Sequence, residues 1–518
     1  ALVAPPQTWD SLTYHMSRIV HWVQNQSVDH YATGIERQNS MSPGAEFIGL
    51  NFYVLTGGDL FANLPQWISM LFSVIGSSLI ARYLGAKRTG QWLTAVFVIT
   101  LPSGIVQASS TMTDYVATVW LVGAASEVLA YKESRQTRSI IFAAISAGLA
   151  ILTKPTVFFY LLFLGGWMAV LILKSFKFSK MAAYGFLAVL IVSGINAGYL
   201  SRNLSTYGSL SNPADYSHHL NELRTPAGIL TNIIKNASLH AGIPWDTFNT
   251  NLDGLIKSLI FKLGVDIHDP RSTGSGEVTV RIPSKSEAHT SNPLHAYFSV
   301  FTIIFLLLLR KQRPPIRIIY ALGIAGAFVL DTGLFKWFSF NARLHLPFFV
   351  LFAPVLGVFW GNLKSKVLPI AIGLLFFILS LPWVFSIDTR SLFPTESSTK
   401  DRSILVLPRE ERYFTSVSSA YAAEFKALST KIEAQGCSQI GLLLNGDDPE
   451  YWLWVLLDAP DPDYRLEWIV AATPSEIYGD ESFSPCAIIC RNCEPSNVLP
   501  NSTYAGSFVG AQLYFAVK

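Results

Sequence analysis

Charge is what this sequence has least of. Only 14% of its 518 residues are Asp, Glu, Lys or Arg, against 50% hydrophobic, where soluble domains carry about a quarter charged. With a mean hydropathy of +0.36, that scarcity excludes an ordinary soluble globular chain and points to a membrane protein. The charge that is present nearly balances, 38 basic against 35 acidic residues for a net +3, and it is spread along the chain. This excludes the concentrated basic face of a nucleic-acid-binding protein. Cysteine is scarce too, with four residues, all in the tail. No internal repeat of the kind that builds paired transporter halves is present. The first residue is Ala1 rather than Met, and "ALVAPP" reads like the exit from an apolar segment, so an N-terminal transmembrane helix or signal anchor is expected ahead of it.

What is there instead is apolar length. A spanning helix needs roughly 20 apolar residues, fewer where protein shields it. Candidate spans begin near Leu64, Trp92, Tyr115, Ile140, Val157, Met181, Leu294, Ile318, Leu346 and Leu368, about ten helices on that length criterion. Alternate connections are basic: Arg82, Lys87 and Arg88; Lys132, Arg135 and Arg138; Lys174, Lys177 and Lys180; Arg310, Lys311, Arg313 and Arg317; Lys364 and Lys366. Those loops are expected on the cytoplasmic side. The other set is then external: residues 1–63, "SSTMT", "TKPT", a long loop over 202–293, "FKWFSFNAR", and everything after about Ser386.

Ahead of the first span, Gln7 to Ser27 reads as an amphipathic helix. Asp10, Tyr14, Arg18 and His21 share one side, and Leu12, Met16, Ile19 and Val23 another. Such a helix is expected in the membrane interface, its polar stripe turned to a chamber. At the other end, residues 387–402 read as a linker and 403–518 as a small external α/β domain. Its strand-length runs are "QIGLLLN", "RLEWIVAA", "CAIIC" and "AQLYFAV", and "PEYWLWVLLD" is helical in feel. In an oxidising compartment Cys437, Cys486, Cys490 and Cys493 form one or two disulfides rather than a zinc site. Cys437 and Cys486 open two of the expected strands, which favours a bridge between them. Cys490-x-x-Cys493 has thiolate-ligand spacing, but no His is placed to help. The sequons at Asn25, Asn203, Asn236 and Asn501 all fall in external segments.

Several charged residues break the orientation rule. Arg18, Arg37, Lys154, Lys336 and Arg343 lie in connections expected outside. Singly, each reads as snorkelling to lipid headgroups. Together, on the face that also carries membrane-proximal carboxylates, they read as a pocket for a phosphate, which Arg grips as a fork and Lys as a point charge. Asp10 and Asp114 are the carboxylates, although each sits where it could simply cap or start a helix. Glu36 beside Arg37 has the alternative of a local ion pair, and Asp331 that of a pair with Lys336. His15, His289, His295 and His345 are scattered and suggest no metal site.

Taken in order, "TWDSLTYHMSR", "IERQNSMSP", "STMTDYVATVW", "GLAILTKPT" and "NARLHLPFFV" resemble the GT-C fold glycosyltransferases, specifically the protein O-mannosyltransferase and aminoarabinose-transferase group that uses polyprenyl-phosphate sugars. The likeness covers residues 1–386, and "SEAHTSNPLHAYF" extends it toward bacterial members that end in an external α/β domain. It implies an all-α polytopic protein with a C-terminal extracytoplasmic domain. By position Asp10 is then the catalytic base and Asp114 the second acid. Glu36, Arg37, Lys154 and Arg343 lie around the lipid phosphate, with Tyr14 and Arg18 in the same binding set. "WDS" lacks the Asp-Glu pair of several relatives, so neither a metal requirement nor an acceptor carries over. No cofactor is assigned, and a divalent metal is left open.

The expected reaction moves a hexose or related sugar from a polyprenyl phosphate to an acceptor hydroxyl on lipid, glycan or protein. The departing phosphate needs its charge balanced by cations rather than a strong general acid, and a carboxylate takes the proton of the attacking hydroxyl. One displacement inverts the anomeric centre. The expected setting is a bacterial plasma membrane with the site on the periplasmic face, an endoplasmic reticulum membrane with a lumenal site being the alternative. Rival readings are a lipid-linked glycan flippase or transporter, an undecaprenyl-diphosphate glycan ligase or polymerase, and an inactive binding scaffold.

Overall fold

The computed structural model of the protein describes residues 1–212, 218–308, 314–365, 367–393, 403–417, 419–460, 463–491 and 502–516. The expected basic residues Arg310, Lys311, Arg313 and Lys366, Cys493, the Asn501 sequon and the 394–402 part of the expected linker lie outside them.

The chain begins with a π-helical turn, Ser11–His15, continued by α1 (Met16–Asn25), then α2 (Arg37–Ser40) and α3 (Gly44–Thr56). The helical body follows as α4 (Leu64–Tyr83), α5 (Arg88–Ile99), α6 (Pro102–Gln107), α7 (Asp114–Ser134), α8 (Thr137–Thr153), α9 (Phe158–Leu173) and α10 (Phe178–Tyr207). The long loop contributes α11 (Pro226–Ser238) and α12 (Asp246–Lys262), and the body closes with α13 (Pro293–Leu308), α14 (Pro315–Leu334), α15 (Asn341–Leu344), α16 (Leu346–Gly361) and α17 (Val367–Phe385).

All ten expected spans are helices, but among the described residues five of them are long and apolar enough to cross a membrane: α4, α9 with its leading turn, α10, α14 and α17. The protein is a multi-pass membrane protein, with five full-length spans among the described residues. Of the shorter apolar helices α8, α13 and α16, α13 turns Val300, Phe301 and Ile304 outward, whereas α16 is shielded by its neighbours. It is apolar all round, and every residue but Trp360 is buried, as such a helix must be. Its closest neighbour is α5. A Cβ at Gly357 would collide with Thr94 Oγ1 and the Gly90 carbonyl, so the two backbones meet through glycine, as membrane helices do. At the opposite extreme, α10 turns Phe186, Val189 and Leu190 outward.

Connections expected on one side of the membrane gather at one end of the body. Arg317 Nε donates to the Leu84 carbonyl at 2.8 Å, and the Lys87 amide donates to Asn362 Oδ1 at 3.2 Å. Proline fixes the other end of α8. Lys154 precedes Pro155 and is extended, with φ −160°, because the proline ring excludes helical geometry from the residue before it.

The tail carries α18 (Arg409–Arg412), α19 (Ser419–Ala434), α20 (Tyr451–Leu456) and strands β1 (Gln439–Leu443), β2 (Arg465–Trp468), β3 (Ala487–Arg491), β4 (Ser502–Phe508) and β5 (Ala511–Ala516). The sheet order is β2-β1-β3-β5-β4. β1 pairs parallel with β2 and β3, and β5 runs antiparallel to β3 and β4. A disulfide joins Cys437 to Cys486 with the Cα atoms 5.7 Å apart, stapling the entries of β1 and β3. β4 was not among the expected strands: its burial does not alternate, so it leaves no period-2 signal.

The apolar side of the opening helix is turned into the protein, against the tail. Leu12, Met16 and Ile19 are buried in one apolar cluster with Phe414, Trp452 and Trp454 of the tail. Glu450 locks this contact. Its buried carboxylate accepts from His21 Nε2 at 2.6 Å, Gln38 Nε2 at 2.8 Å, Trp454 Nε1 at 2.8 Å and Trp468 Nε1 at 3.2 Å. The polar stripe is not continuous. The Met16 amide donates to the Ser11 carbonyl, a five-residue step that offsets the register. Asp10 and Tyr14 therefore reach one place, Arg18 and His21 others. Two of the sequons are closed off, since Asn203 and Asn236 are buried with their amides donating to carbonyls.

Candidate active site

Neither predicted acid caps a helix. Thr8 does so for the first, its Oγ1 accepting from the Ser11 amide at 3.3 Å. Gln66 does it for α7, where its Oε1 accepts from the amides of Tyr115 at 2.7 Å and Val116 at 3.1 Å. With the backbone donors already satisfied, both carboxylates are left for other partners. Asp10 Oδ2 lies 2.7 Å from Arg343 Nη2, both side chains 14% exposed, and Asp10 Oδ1 lies 3.9 Å from Arg37 Nη1. Asp114 Oδ1 lies 2.5 Å from Lys154 Nζ, the acid 1% exposed, while Asp114 Oδ2 is buried without a partner.

The two pairs share one chamber, a cavity of ≈ 330 Å³ whose walls include Tyr14, Lys154, Arg343, Asp331, His345 and Phe340. Its volume is at the small end of the roughly 300–1,000 Å³ typical of ligand sites. The cations of both pairs line it, and the acids stand behind them. Arg343 also stacks on Phe340, 5.4 Å from the ring centre, and Arg37 on Tyr14 at 4.9 Å. Burial alone would raise the pKa of Asp10, but Arg343, His15 and Arg37 outweigh it and hold the carboxyl well below the usual range. Burial, with Asp10 beside it, pushes the Tyr14 phenol well above its ordinary value, so Tyr14 offers an O–H donor.

The remaining predicted residues stand behind this layer. Arg18 donates to the carbonyls of Gln38, Arg37 and Met41 and lies 3.4 Å from Glu46, so it frames the loop that carries Arg37. Glu36 accepts from Asn212 and forms no ion pair with Arg37, which instead pairs with Asp447 of the tail. The expected Asp331–Lys336 pair is also absent, because Lys336 Nζ reaches Glu222 at 2.6 Å. Sequence reasoning missed Glu46, buried and bonded to His15 Nδ1 at 2.7 Å, and missed Asp447. Neither stands in a quoted motif, and Asp447 is some 410 residues from its partner. No group of three or more metal-ligating side chains is present among the described residues.

Below the chamber α8 and α10 pack closely at Gly148, where a Cβ would meet Ile195 Cδ1 at 2.8 Å. A second cavity of ≈ 280 Å³ lies between α8, α9 and α10, lined by residues such as Ala143, Ala147, Leu164, Met168 and Val192.

No protein-family model matches the sequence, and no curated protein matches it. Solved structures do. The chain is similar to ArnT from Cupriavidus metallidurans bound to undecaprenyl phosphate, with a TM-score of 0.54 and 10% identity over 100% of this chain and 95% of that one. The apo state of the same ArnT gives 0.49 and 11% over 99% and 94%. The arabinofuranosyltransferase AftD from Mycobacteria gives 0.42 and 10%, with 99% of this chain covering 38% of that one. The likeness to ArnT establishes the fold: a GT-C polytopic membrane architecture followed by a C-terminal domain.

Proposed function

We propose that this protein is an integral-membrane glycosyltransferase that moves a hexose or related sugar from a polyprenyl-phosphate donor to an extracytoplasmic acceptor hydroxyl. The observation that carries this reading is the convergence of two acid–cation pairs, Asp10–Arg343 and Asp114–Lys154, on one cavity whose walls present the cations. ArnT, whose fold the chain shares, was solved with undecaprenyl phosphate, itself a polyprenyl phosphate. In this reading residues 1–386 form the catalytic membrane domain and 403–518 an extracytoplasmic one, in a bacterial plasma membrane with the site on the periplasmic face.

The donor's phosphate is held by Arg343 and Lys154, with Arg37 behind. The acceptor oxygen attacks the anomeric carbon as the bond from that carbon to the phosphate oxygen breaks. The cations balance the charge of the leaving polyprenyl phosphate, and one displacement turns a β-linked donor into an α-linked product. Asp10 takes the acceptor's proton. Paired with its two arginines it is a weak base. An incoming phosphate competes for both, so basicity returns to Asp10 only when a donor is bound. Asp114 holds Lys154 in place.

The experiment is sugar release from, or transfer off, a panel of labelled polyprenyl-phosphate hexoses in membranes, wild type against Asp10→Asn. Turnover of one donor, lost in a variant that still folds, is the expected result. Lipid movement without sugar cleavage would replace this reading with a flippase, and equal turnover in both proteins would remove Asp10 from the chemistry.

A further inference from the structure

The cavity has a wall that phosphate chemistry does not use. Asp331 stands in the last turn of α14, 7% exposed and facing the chamber. It makes no ion pair among the described residues, and its Oδ1 is buried with no hydrogen-bond partner. A bare buried carboxyl oxygen is costly to keep. His345 lines the same cavity, and its ring packs 5.0 Å from Phe328, three residues before Asp331 and so on the same side of α14.

A relay fixes the tautomer of His345. The Asn292 amide donates to His240 Nδ1 at 3.0 Å, so His240 carries its proton on Nε2 and donates it to His345 Nδ1, 2.9 Å away. Burial holds the His240 pKa well below its ordinary value, which keeps the relay neutral. His345 is left with Nε2–H as its free donor, in the cavity wall. The stacked rings of Phe338 and Phe340, 5.0 Å apart, line the same chamber. An unpaired acceptor, a fixed neutral donor and an aromatic face together suit a ring that carries hydroxyls on its edge and C–H groups on its face.

We propose that Asp331 and His345 form the subsite that holds the hydroxyls of the donor's sugar ring, so that this wall selects the sugar while Lys154 and Arg343 hold the phosphate. The inference rests on the glycosyltransferase reading above and deepens it.

The test compares binding of undecaprenyl phosphate with that of undecaprenyl-phosphate hexoses, including singly deoxygenated analogues, to the full chain in lipid nanodiscs. Wild type is expected to prefer one sugar-bearing lipid over the bare lipid by about tenfold or more, the scale of one or two hydrogen bonds to a polar group, and to lose that preference with one deoxy analogue. Asp331→Leu, Asp331→Asn and His345→Phe are each expected to bring the sugar-bearing lipid toward the bare-lipid affinity while leaving the bare lipid unchanged. A structural role would not produce that split. The thermal midpoint of Asp331→Leu is expected to stay level or rise, because an unpaired buried polar group disappears. Variants that keep the preference, or lose both lipids in parallel, overturn the subsite. A wild type that binds bare lipid but never discriminates overturns the subsite and spares the functional reading, whereas a wild type that binds neither lipid overturns both.

Discussion

The two acid–cation pairs at the cavity look alike in outline and differ in construction. Asp114 and Lys154 come from consecutive helices of the bundle. Their contact is short, the acid is almost wholly buried, and Lys154 is aimed by the proline that follows it. Asp10 and Arg343 are more than 300 residues apart in the sequence. Both are partly exposed, and Asp10 has a second arginine within 4 Å. A buried acid with one partner is a fixture, because removing its cation strands the acid in low dielectric. A shared, partly solvated pair can be exchanged, because a new anion can take the cations without stranding the acid. The first construction suits holding a group in place and the second suits a group whose state changes during a reaction.

The largest effect expected from this contrast is on turnover. Asp10→Asn should lower transfer by about a thousandfold or more, at the scale of losing a positioned base, while bare polyprenyl-phosphate affinity holds or improves because Arg343 is released. Asp114→Asn should do the opposite, weakening affinity for the phosphate as Lys154 loses its anchor. Single-turnover rates and lipid binding on the same samples check both. Equal behaviour of the two variants would erase the distinction.

Stability should separate the pairs next. Asp114→Asn is expected to cost about 3 kcal/mol, the scale of breaking a buried pair on one side, and adding Lys154→Met should recover part of it. Asp10→Asn should cost less, about 1 kcal/mol, as partly exposed pairs do. Its pH dependence has a definite sign. The folded carboxyl lies below its unfolded value, so its stabilisation is complete above the unfolded pKa of about 4 and is lost as pH falls beneath that. Thermal midpoints across pH 2 to 7 should therefore show the gap between wild type and Asp10→Asn closing only at the acid end.

Much of this was legible in the sequence, for reasons that can be named. Helix starts followed from apolar length and from proline, and the strands that alternate or run apolar were visible while β4 was not. Cations in connections where they do not belong pointed to Lys154 and Arg343, both of which line the cavity. What could not be read was pairing at a distance. Lys336 was expected on Asp331, five residues away, but the long loop supplies Glu222 instead, which leaves Asp331 bare. The helical wheel put Arg18 on the stripe of Asp10, yet one π-helical turn, which no periodicity reports, breaks that stripe. The apolar stripe was legible as a stripe, but its partner, the tail domain, lies some 400 residues further on.

That tail supplies the smallest expected effect. Arg37 is held between Asp10, behind the cavity wall, and Asp447 of the tail, the latter 69% exposed. Asp447 therefore competes with Asp10, and with any phosphate, for one guanidinium. An exposed ion pair contributes at most about 1 kcal/mol, so Asp447→Asn should tighten bare polyprenyl-phosphate binding by only about two- to threefold. High salt should abolish the difference, since screening weakens the competing pair in wild type. Titrations of wild type and variant at low and high ionic strength check this. Weaker binding in the variant would mean that Asp447 aims Arg37 into the site rather than holding it back, and the tail would then share the positioning role that Pro155 and Asp114 have for Lys154.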